Sequence, residues 1–227
     1  MASSLSWQRR LRRWHRAVAM LTSVQLLLWT ISGIYFAFVD IDYVRGHQYR
    51  VAPEVISFDL SVLQRVDELA VGISMQGRLP GEVIVGVQTR EGVVWRDVQG
   101  DPLAFLTQGD AIALATARTV LKPDRAEWIE SEVSGSEFRG GPLPLWKVWE
   151  STRPEKVAYI DAVSGDVIAV RHSARRWWDF LWSLHIMSYE DRDTIGTWLL
   201  KIFSVMALLT AILGLWLYRE TRRIGSG

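Results

Sequence analysis

The stretch that decides the fold is AVAMLTSVQLLLWTISGIYFAFV (Ala17–Val39), a run of 23 residues that contains no charged side chain. As an α-helix rising about 1.5 Å per residue, this run covers a hydrocarbon core of about 30 Å. A cleavable signal peptide also follows a basic flank, but its apolar region is normally about 7–15 residues long and ends at a small-residue cleavage site. The run here is longer and leads into FAFVDIDYVRG. It therefore predicts an uncleaved membrane-spanning helix at 17–39.

A second apolar run, TIGTWLLKIFSVMALLTAILGLWLY (Thr194–Tyr218), predicts another spanning helix at 193–218. Its one charge, Lys201, lies near the first end, where a long side chain can reach the interface. Arginines dominate both the segment 1–16 and the tail 219–227. Because cytoplasmic flanks are enriched in Lys and Arg, we expect both termini in the cytoplasm and the segment between the two helices outside it.

The middle segment, 40–172, carries twenty acidic and fourteen basic residues, a net charge of −6. Its patterns predict an α+β domain on the extracytoplasmic side, built from two repeats at about 55–106 and 107–172. Each repeat combines a helical apolar spacing with alternating strands of an antiparallel sheet. The predicted helices are Leu60–Gly72, with Asp59 as N-cap, and Gly109–Pro123, with Asp110 as N-cap; the predicted strands lie in Glu82–Phe105, EWIESEV, PLPLWKVWES and KVAYIDAVSGDVIAV.

The two repeats end in similar sequences. VVWRDVQGDPLA (Val93–Ala104) aligns with VAYIDAVSGDVIA (Val157–Ala169) when one residue is inserted, and this alignment matches Asp97 with Asp161. Aspartate and glycine serve turn conformations between alternating strands. Both segments are therefore predicted to be strand–turn–strand hairpins, in which the aspartates form turns.

The stretch RRWWDFLWSLHIMSYEDRD, within 173–192, predicts an amphipathic helix at the membrane surface. Helical spacing puts His185 on the same broad face as several apolar and aromatic residues. Aromatic rings suit the boundary between lipid and water, so the lipid bilayer is an expected partner. The residues that share this face are Trp178, Leu181, Trp182 and Tyr189.

Composition excludes several classes of chemistry. The chain has no cysteine, so disulfides, thiolate metal sites, iron–sulfur clusters and covalent c-type haem are excluded. No Ser-His-Asp spacing, HExxH motif or Walker element is present. The basic residues cluster at the membrane ends, which argues against a nucleic-acid partner. A cofactor or metal would depend mainly on the histidines, which are His15, His47, His172 and His185.

The chain resembles the PepSY family with its associated membrane helices. VAYIDAVSGDVIAV resembles the last strands of a PepSY domain, and WHRAVAMLTSVQLLLWTISGIYFAF resembles the first associated helix. The segments LWSLHIMS and GTWLLKIFSVMALLTAILGLWLYRETRR resemble the last part. The resemblance covers nearly the whole chain in the right order. It implies a bacterial inner-membrane protein of the iron-regulated type with a periplasmic domain, similar to ferric-siderophore reductases whose membrane histidines bind b-type haem. On that pattern, His15 and His185 correspond to ligands of the haem iron.

The predicted topology limits how such a haem could be held. His15 lies at the cytoplasmic start of the first helix and His185 precedes the second, so about 30 Å of helix separates them. One copy of the chain therefore cannot use both for one iron. A homodimer could pair each histidine with its symmetry mate, a membrane partner subunit could supply the missing ligand, or His185 could pair with His47 or His172. Met187 is a conceivable weak ligand.

Two functions follow from these expectations. The first is transmembrane electron transfer through haem b, as a haem-dependent reductase or an electron-transfer subunit. The second is a non-enzymatic accessory or regulatory module, in which the PepSY-like domain binds a partner and the helices act as anchors.

Overall fold

The structure, a computed structural model, describes residues 2–52, 57, 71–132, 136–138, 140–189 and 194–225. Within the terminal helices, the side chains of 2–12, 14–15, 217–218 and 220–225 are outside this description. The chain divides into two compact units, Met1–Asp40 with Trp177–Gly227, and Ile41–Arg176. The helices are α1 (Ala2–Phe38), α2 (Ile41–Arg45), α3 (Gln108–Arg118), α4 (Ser173–Ile186) and α5 (Trp198–Gly225), with a 3-10 turn at His47–Tyr49.

The first unit contains two helices that are long and apolar enough to cross a membrane. The candidate spans are Arg16–Phe38 in α1 and Trp198–Trp216 in α5, of 23 and 19 residues. Within the most apolar window of each, 17% of the α1 residues and none of the α5 residues are buried. The core helix of a soluble protein would bury most of such a window, so this exposed apolar surface indicates a membrane protein.

The second unit contains two antiparallel sheets, as the α+β prediction requires. The first sheet has the strand order β1-β2-β3 and the second the order β4-β5-β6-β7. The first strand, β1, was not predicted. The predicted helix at Leu60–Gly72 falls almost entirely on residues 58–70, which lie outside the described part of the chain. The strands are β1 (Gly72–Gly77), β2 (Val83–Gln88), β3 (Val93–Asp97), β4 (Arg125–Ile129), β5 (Leu145–Glu150), β6 (Arg153–Asp161) and β7 (Val167–Arg171).

Helix α3 covers one face of the second sheet. It begins with a capping box, in which the Thr107 hydroxyl accepts from the backbone of Asp110 and the Asp110 carboxylate accepts from the backbone of Thr107. The N-cap is therefore Thr107, and the prediction of Asp110 as the N-cap was wrong by three positions. Asp110 instead occupies the third helical position, from which its carboxylate completes the capping box. The apolar face of the helix then packs on the inner side chains of β5, β6 and β7. The fully or nearly fully buried residues of this core are Leu106, Ala111, Leu114, Ala115, Leu121, Val148, Ala158, Ile160 and Val170.

The turns predicted at Asp97 and Asp161 use the same device, although the predicted hairpin Val93–Ala104 is only partly correct, because an isolated bridge between Arg96 and Pro102 takes the place of its second strand. In the first, the Asp97 carboxylate accepts from the backbone N–H groups of Gln99 and Asp101, at 2.9 and 2.7 Å. In the second, the Asp161 carboxylate accepts from Val163 and Ser164, at 2.8 and 2.6 Å. Both aspartates also pair across their turn through the main chain. The turn-forming role predicted for these aspartates is confirmed by these contacts, and each sheet carries this device after its third strand.

One arginine joins the two sheets. Arg118, at the end of α3, donates to the carbonyls of Gly77 and Arg78 at the end of β1, and to that of Gly165 in the β6–β7 turn. Gln76 adds bonds from β1 to the same turn. Carbonyls at strand ends would otherwise lack partners, so these contacts satisfy them while holding the two sheets together.

Candidate functional site

The candidate site lies in the first unit, where residues of α4 pack along the second half of α1. The Trp178 ring lies 4.5 Å from Phe36 and 6.2 Å from Tyr35, measured between centroids. Two turns further along α4, His185 contacts residues that lie earlier in α1. The two helices therefore run antiparallel over this stretch. The helix predicted at 173–192 is observed at 173–186, and residues 190–193 lie outside the description.

His185 is held by two side chains of α1. The indole N–H of Trp29 donates to the backbone carbonyl of His185 at 2.8 Å. The hydroxyl of Ser32 lies 2.7 Å from the imidazole Nδ1. Trp29 and Ser32 are three residues apart, so both point from one face of α1. Both the main chain and the ring of this histidine are thus fixed by the same face.

Aromatic rings surround the imidazole of His185. Phe36 approaches it edge-on with a centroid distance of 5.6 Å, and Trp29 lies 6.3 Å away. Trp182, one turn earlier on α4, is nearly parallel to the imidazole at 6.4 Å. An apolar setting of this kind lowers the local dielectric and strengthens each hydrogen bond made within it.

The end of α4 directly after His185 has a defined conformation. Met187 has a φ of 53°, in the left-handed region that usually requires glycine. The N–H of Ser188 bonds back to the carbonyl of Ser183, as in a Schellman motif. The Thr197 hydroxyl, just before α5, lies within reach of the carbonyls of Ile186 and Met187. These contacts fix where the helix stops, and so they fix the position of His185. The buried Met187 lies in this turn.

A row of polar residues marks the buried face of α1. Thr22, Gln25 and Ser32 are all at most 8% exposed, and Trp29 lies between them at helical spacing. The Nε2 atom of Gln25 is buried with no hydrogen-bond partner among the described residues. Small and polar residues are what membrane helices place at their contacts. The Thr30 hydroxyl, in contrast, donates to the carbonyl of Leu26 in its own helix at 2.8 Å.

His15 is distant from His185 in this unit. It lies on α1, 17 residues before Ser32, and its side chain is outside the described part of the chain. A rise of about 1.5 Å per residue separates the two positions on α1 by about 25 Å. Since Ser32 touches His185, this spacing agrees with the expectation that one copy cannot use both histidines for a single iron.

The other two histidines belong to the second unit. His47 is exposed, and its Nδ1 lies 3.2 Å from a carboxylate oxygen of Asp42. His172 is 2% exposed, with Nε2 at 2.9 Å from the carbonyl of Tyr43 and its ring between those of Tyr43 and Tyr49. Burial lowers the pKa of His172, although the bond to the Tyr43 carbonyl acts in the opposite direction. Their roles as ligands stay predictions, and His172 has a clear packing role.

The two ring nitrogens of His185 differ in their surroundings. Nδ1 of His185 is occupied by Ser32, whereas no described residue bonds Nε2. A histidine that ligates a metal uses one ring nitrogen and has the other held by a hydrogen-bond partner, so His185 fits one axial position. Across the part of the chain that the structure describes, no three His, Cys, Asp or Glu side chains form a metal-binding group.

Sequence reasoning missed the two α1 residues that hold His185. Ser32 and Trp29 both lie in the apolar run Ala17–Val39, which was predicted only as a membrane-spanning helix. The available signal was the spacing of Thr22, Gln25, Trp29 and Ser32, which places four hydrogen-bonding side chains on one face of an apolar helix.

Comparison of the chain with protein-family models, with curated proteins and with solved structures found no match. What this chain does must therefore be inferred from its own residues.

Proposed function

We propose that this chain is a PepSY-type protein of a bacterial inner membrane that supports transmembrane electron transfer through b-type haem, similar to ferric-siderophore reductases. His185 would provide one axial ligand of the iron. Haem supplies a one-electron couple, which none of this chain's side chains offers by itself. The bond between Ser32 and His185 is the observation that carries the proposal, because it leaves Nε2 of a held imidazole available for iron.

The charge distribution supports the proposed topology. Five arginines precede residue 17 and three follow Tyr218, so both ends of the helix pair are basic. By the positive-inside rule, this arrangement puts both termini in the cytoplasm and the acidic unit Ile41–Arg176 in the periplasm. His185 then lies towards the periplasmic side, since Ser32 is six residues, or about 9 Å, before Phe38 at the end of the first span.

The fold of the second unit is compatible with a duplicated PepSY-like domain. Both sheets are antiparallel, and in each the third strand is followed by a turn closed by an aspartate carboxylate, Asp97 in the first and Asp161 in the second. The resemblance of the Asp161 hairpin to the end of a PepSY domain is what suggests the family.

The missing axial ligand points to an assembly. A homodimer in which the two His185 residues face each other would complete a bis-histidine site with one haem for every two chains. A different membrane subunit could provide the ligand instead. His15 would serve the cytoplasmic side in the same way, through its own symmetry mate or a partner.

One observation favours the second function, a membrane-anchored module that binds a partner without haem. The contacts that Trp29, Ser32 and Phe36 make with His185 also fasten α4 onto α1. An anchor needs such fastening as much as a haem protein does. The two functions therefore make the same structural demand on Ser32 and Trp29, and differ only in whether Nε2 of His185 binds iron.

An absorption spectrum of the detergent-purified full chain separates the two functions. Haem b gives α and Soret bands after reduction with dithionite, and we expect His185→Ala to abolish them. Ser183→Ala is the matched control, because Ser183 lies on the same helix and, among the described residues, its hydroxyl bonds to the carbonyl of Phe180 in that helix. A colourless protein from haem-sufficient cells, correctly inserted, would establish the anchor function.

The same preparation identifies the second ligand. If the bands persist in His15→Ala, His47→Ala and His172→Ala, and the purified protein is a dimer with one haem per two chains, then His185 pairs with its mate. If one of these three single variants loses the bands, as His185→Ala is expected to do, the histidine replaced in that variant is the second ligand. Bands that persist in all four variants would contradict a role for His185.

A further inference from the structure

We propose that Ser32 is a positioning residue, which holds His185 as the Nδ1–H tautomer and so keeps a lone pair on Nε2 before any ligand arrives. The use of that lone pair for haem iron rests on the function proposed above, whereas the tautomer itself does not.

The direction of the hydrogen bond follows from the surroundings of the Ser32 hydroxyl. Its oxygen lies 2.9 Å from the carbonyl of Leu28 and 3.1 Å from that of Trp29. Carbonyl oxygens only accept, so the hydroxyl hydrogen is shared between these two positions. If that hydrogen pointed to Nδ1 instead, the oxygen would face two carbonyl oxygens at short range with no hydrogen between them. The favourable arrangement therefore has the hydroxyl accept, and Nδ1–H of His185 donate.

Burial makes this arrangement persistent. Ser32 is fully buried, so water does not compete for the hydroxyl. An unmade hydrogen bond in such a setting costs about 1–3 kcal/mol, because nothing replaces it. Reversing the tautomer would leave both Nδ1 and the hydroxyl oxygen as acceptors at 2.7 Å.

The packing around the imidazole prevents a simple escape by rotation. The carbonyl of the same residue is held by Trp29, and the ring lies between Phe36 and Trp182. Turning the ring over would place a carbon atom, which offers no strong hydrogen bond, against the hydroxyl of Ser32. The position and the tautomer of His185 are thus set by the same face of α1.

The consequence is a ligand that is prepared in advance. In water, an imidazole side chain favours the Nε2–H tautomer, in which Nε2 carries a hydrogen and cannot bind a metal without losing it. Holding the Nδ1–H form removes this step. A histidine ligand loses about 10–100-fold in metal affinity when its hydrogen-bond partner is removed.

Nitrogen NMR of the full chain, labelled with ¹⁵N-histidine and prepared without haem in detergent micelles, tests the tautomer directly. The chemical shifts of the two ring nitrogens show which one is protonated, and His185→Gln assigns the signals. We expect His185 to be the Nδ1–H form in the wild type and in Ser32→Thr, which keeps a hydroxyl. We expect Ser32→Ala to convert it wholly or partly to the Nε2–H form. Ser23→Ala, at an exposed position on the same helix, should change nothing.

The outcomes distinguish this inference from the proposed function. An Nε2–H signal in the wild type, or an Nδ1–H signal that persists unchanged in Ser32→Ala, overturns the positioning role. If haem binds, Ser32→Ala should raise its dissociation constant about 10–100-fold, with Ser32→Thr restoring most of the affinity. An equal affinity in Ser32→Ala also overturns the role. A wild type that binds no haem yet shows the Nδ1–H form refutes only the function proposed above.

Discussion

Replacing Asp161 by alanine should destabilise the second unit far more than the same replacement of Asp97, although each carboxylate accepts two backbone N–H groups. Asp161 is 6% exposed, and one of its donors, Ser164, is 2% exposed. Asp97 makes its two bonds at an exposed turn. Water can therefore replace the lost carboxylate in the first hairpin but not in the second.

The expected magnitudes follow from this difference in burial. A buried donor left without a partner costs about 1–3 kcal/mol, so two such donors in Asp161→Ala should cost roughly 2–5 kcal/mol. The exposed bonds of Asp97 should be worth about 1 kcal/mol together, since water satisfies the freed groups. Asp161→Asn keeps one oxygen acceptor and should fall between the two.

Urea unfolding of the full chain in detergent micelles, followed by tryptophan fluorescence, measures this difference. Micelle-bound helices persist in urea, so the transition reports on the unit formed by 41–176. With a slope of about 2 kcal/mol per molar urea, Asp161→Ala should lower the midpoint by about 1–2.5 M, and Asp97→Ala by about 0.5 M. Equal shifts for the two variants would refute the reasoning, because the bonds are matched in number and differ mainly in burial.

Three further predictions concern the same unit and the same measurement. Gly86→Ala should destabilise the first sheet by about 1–3 kcal/mol, because the added methyl would lie 2.7 Å from the ring of Trp95; an unchanged midpoint would show that the ring moves aside freely. Thr107→Ala should cost about 1 kcal/mol by removing the capping box made with Asp110, and a loss below about 0.3 kcal/mol would contradict that role. His172 has a lowered pKa in the folded chain, so the unfolded chain binds its proton first as the pH falls below about 6.5, and stability should drop over that range. His172→Gln should flatten this part of the pH profile, and an identical profile in wild type and variant would exclude His172 as its cause.

Local patterns predicted the elements whose signals lie within a few residues of one another. The two apolar runs appear as the candidate spans of α1 and α5, because an apolar run of that length with at most one charge has few stable alternatives. The segment Glu82–Phe105, predicted to hold strands, contains the hairpin Val83–Asp97, which turns at Glu91-Gly92. Helix α3 starts one residue before the predicted Gly109 and ends at Arg118, well before Pro123, because Thr119 is already extended.

Other features depended on contacts that no local pattern contains. Strand β1, GISMQG, alternates the apolar Ile73 and Met75 with polar side chains over only six residues, and it is held as a strand through its pairing with β2. The capping residue of α3 could be either of two polar side chains near its start, and the reciprocal bonds decide between them. In both cases the partner, rather than the residue's own preference, determines the structure.

For the candidate site, the sequence by itself determined that His185 shares a helix face with aromatic rings and that His15 is too far along α1 to share an iron with it. Only the tertiary structure decided that Ser32 and Trp29, 153 and 156 residues away in the chain, hold the ring and the carbonyl of His185. Helical periodicity predicts which side chains share a face of one helix, but it does not predict which side chains of another helix they contact. The tautomer of an imidazole depends on such a meeting, because it is set by the atom placed against Nδ1.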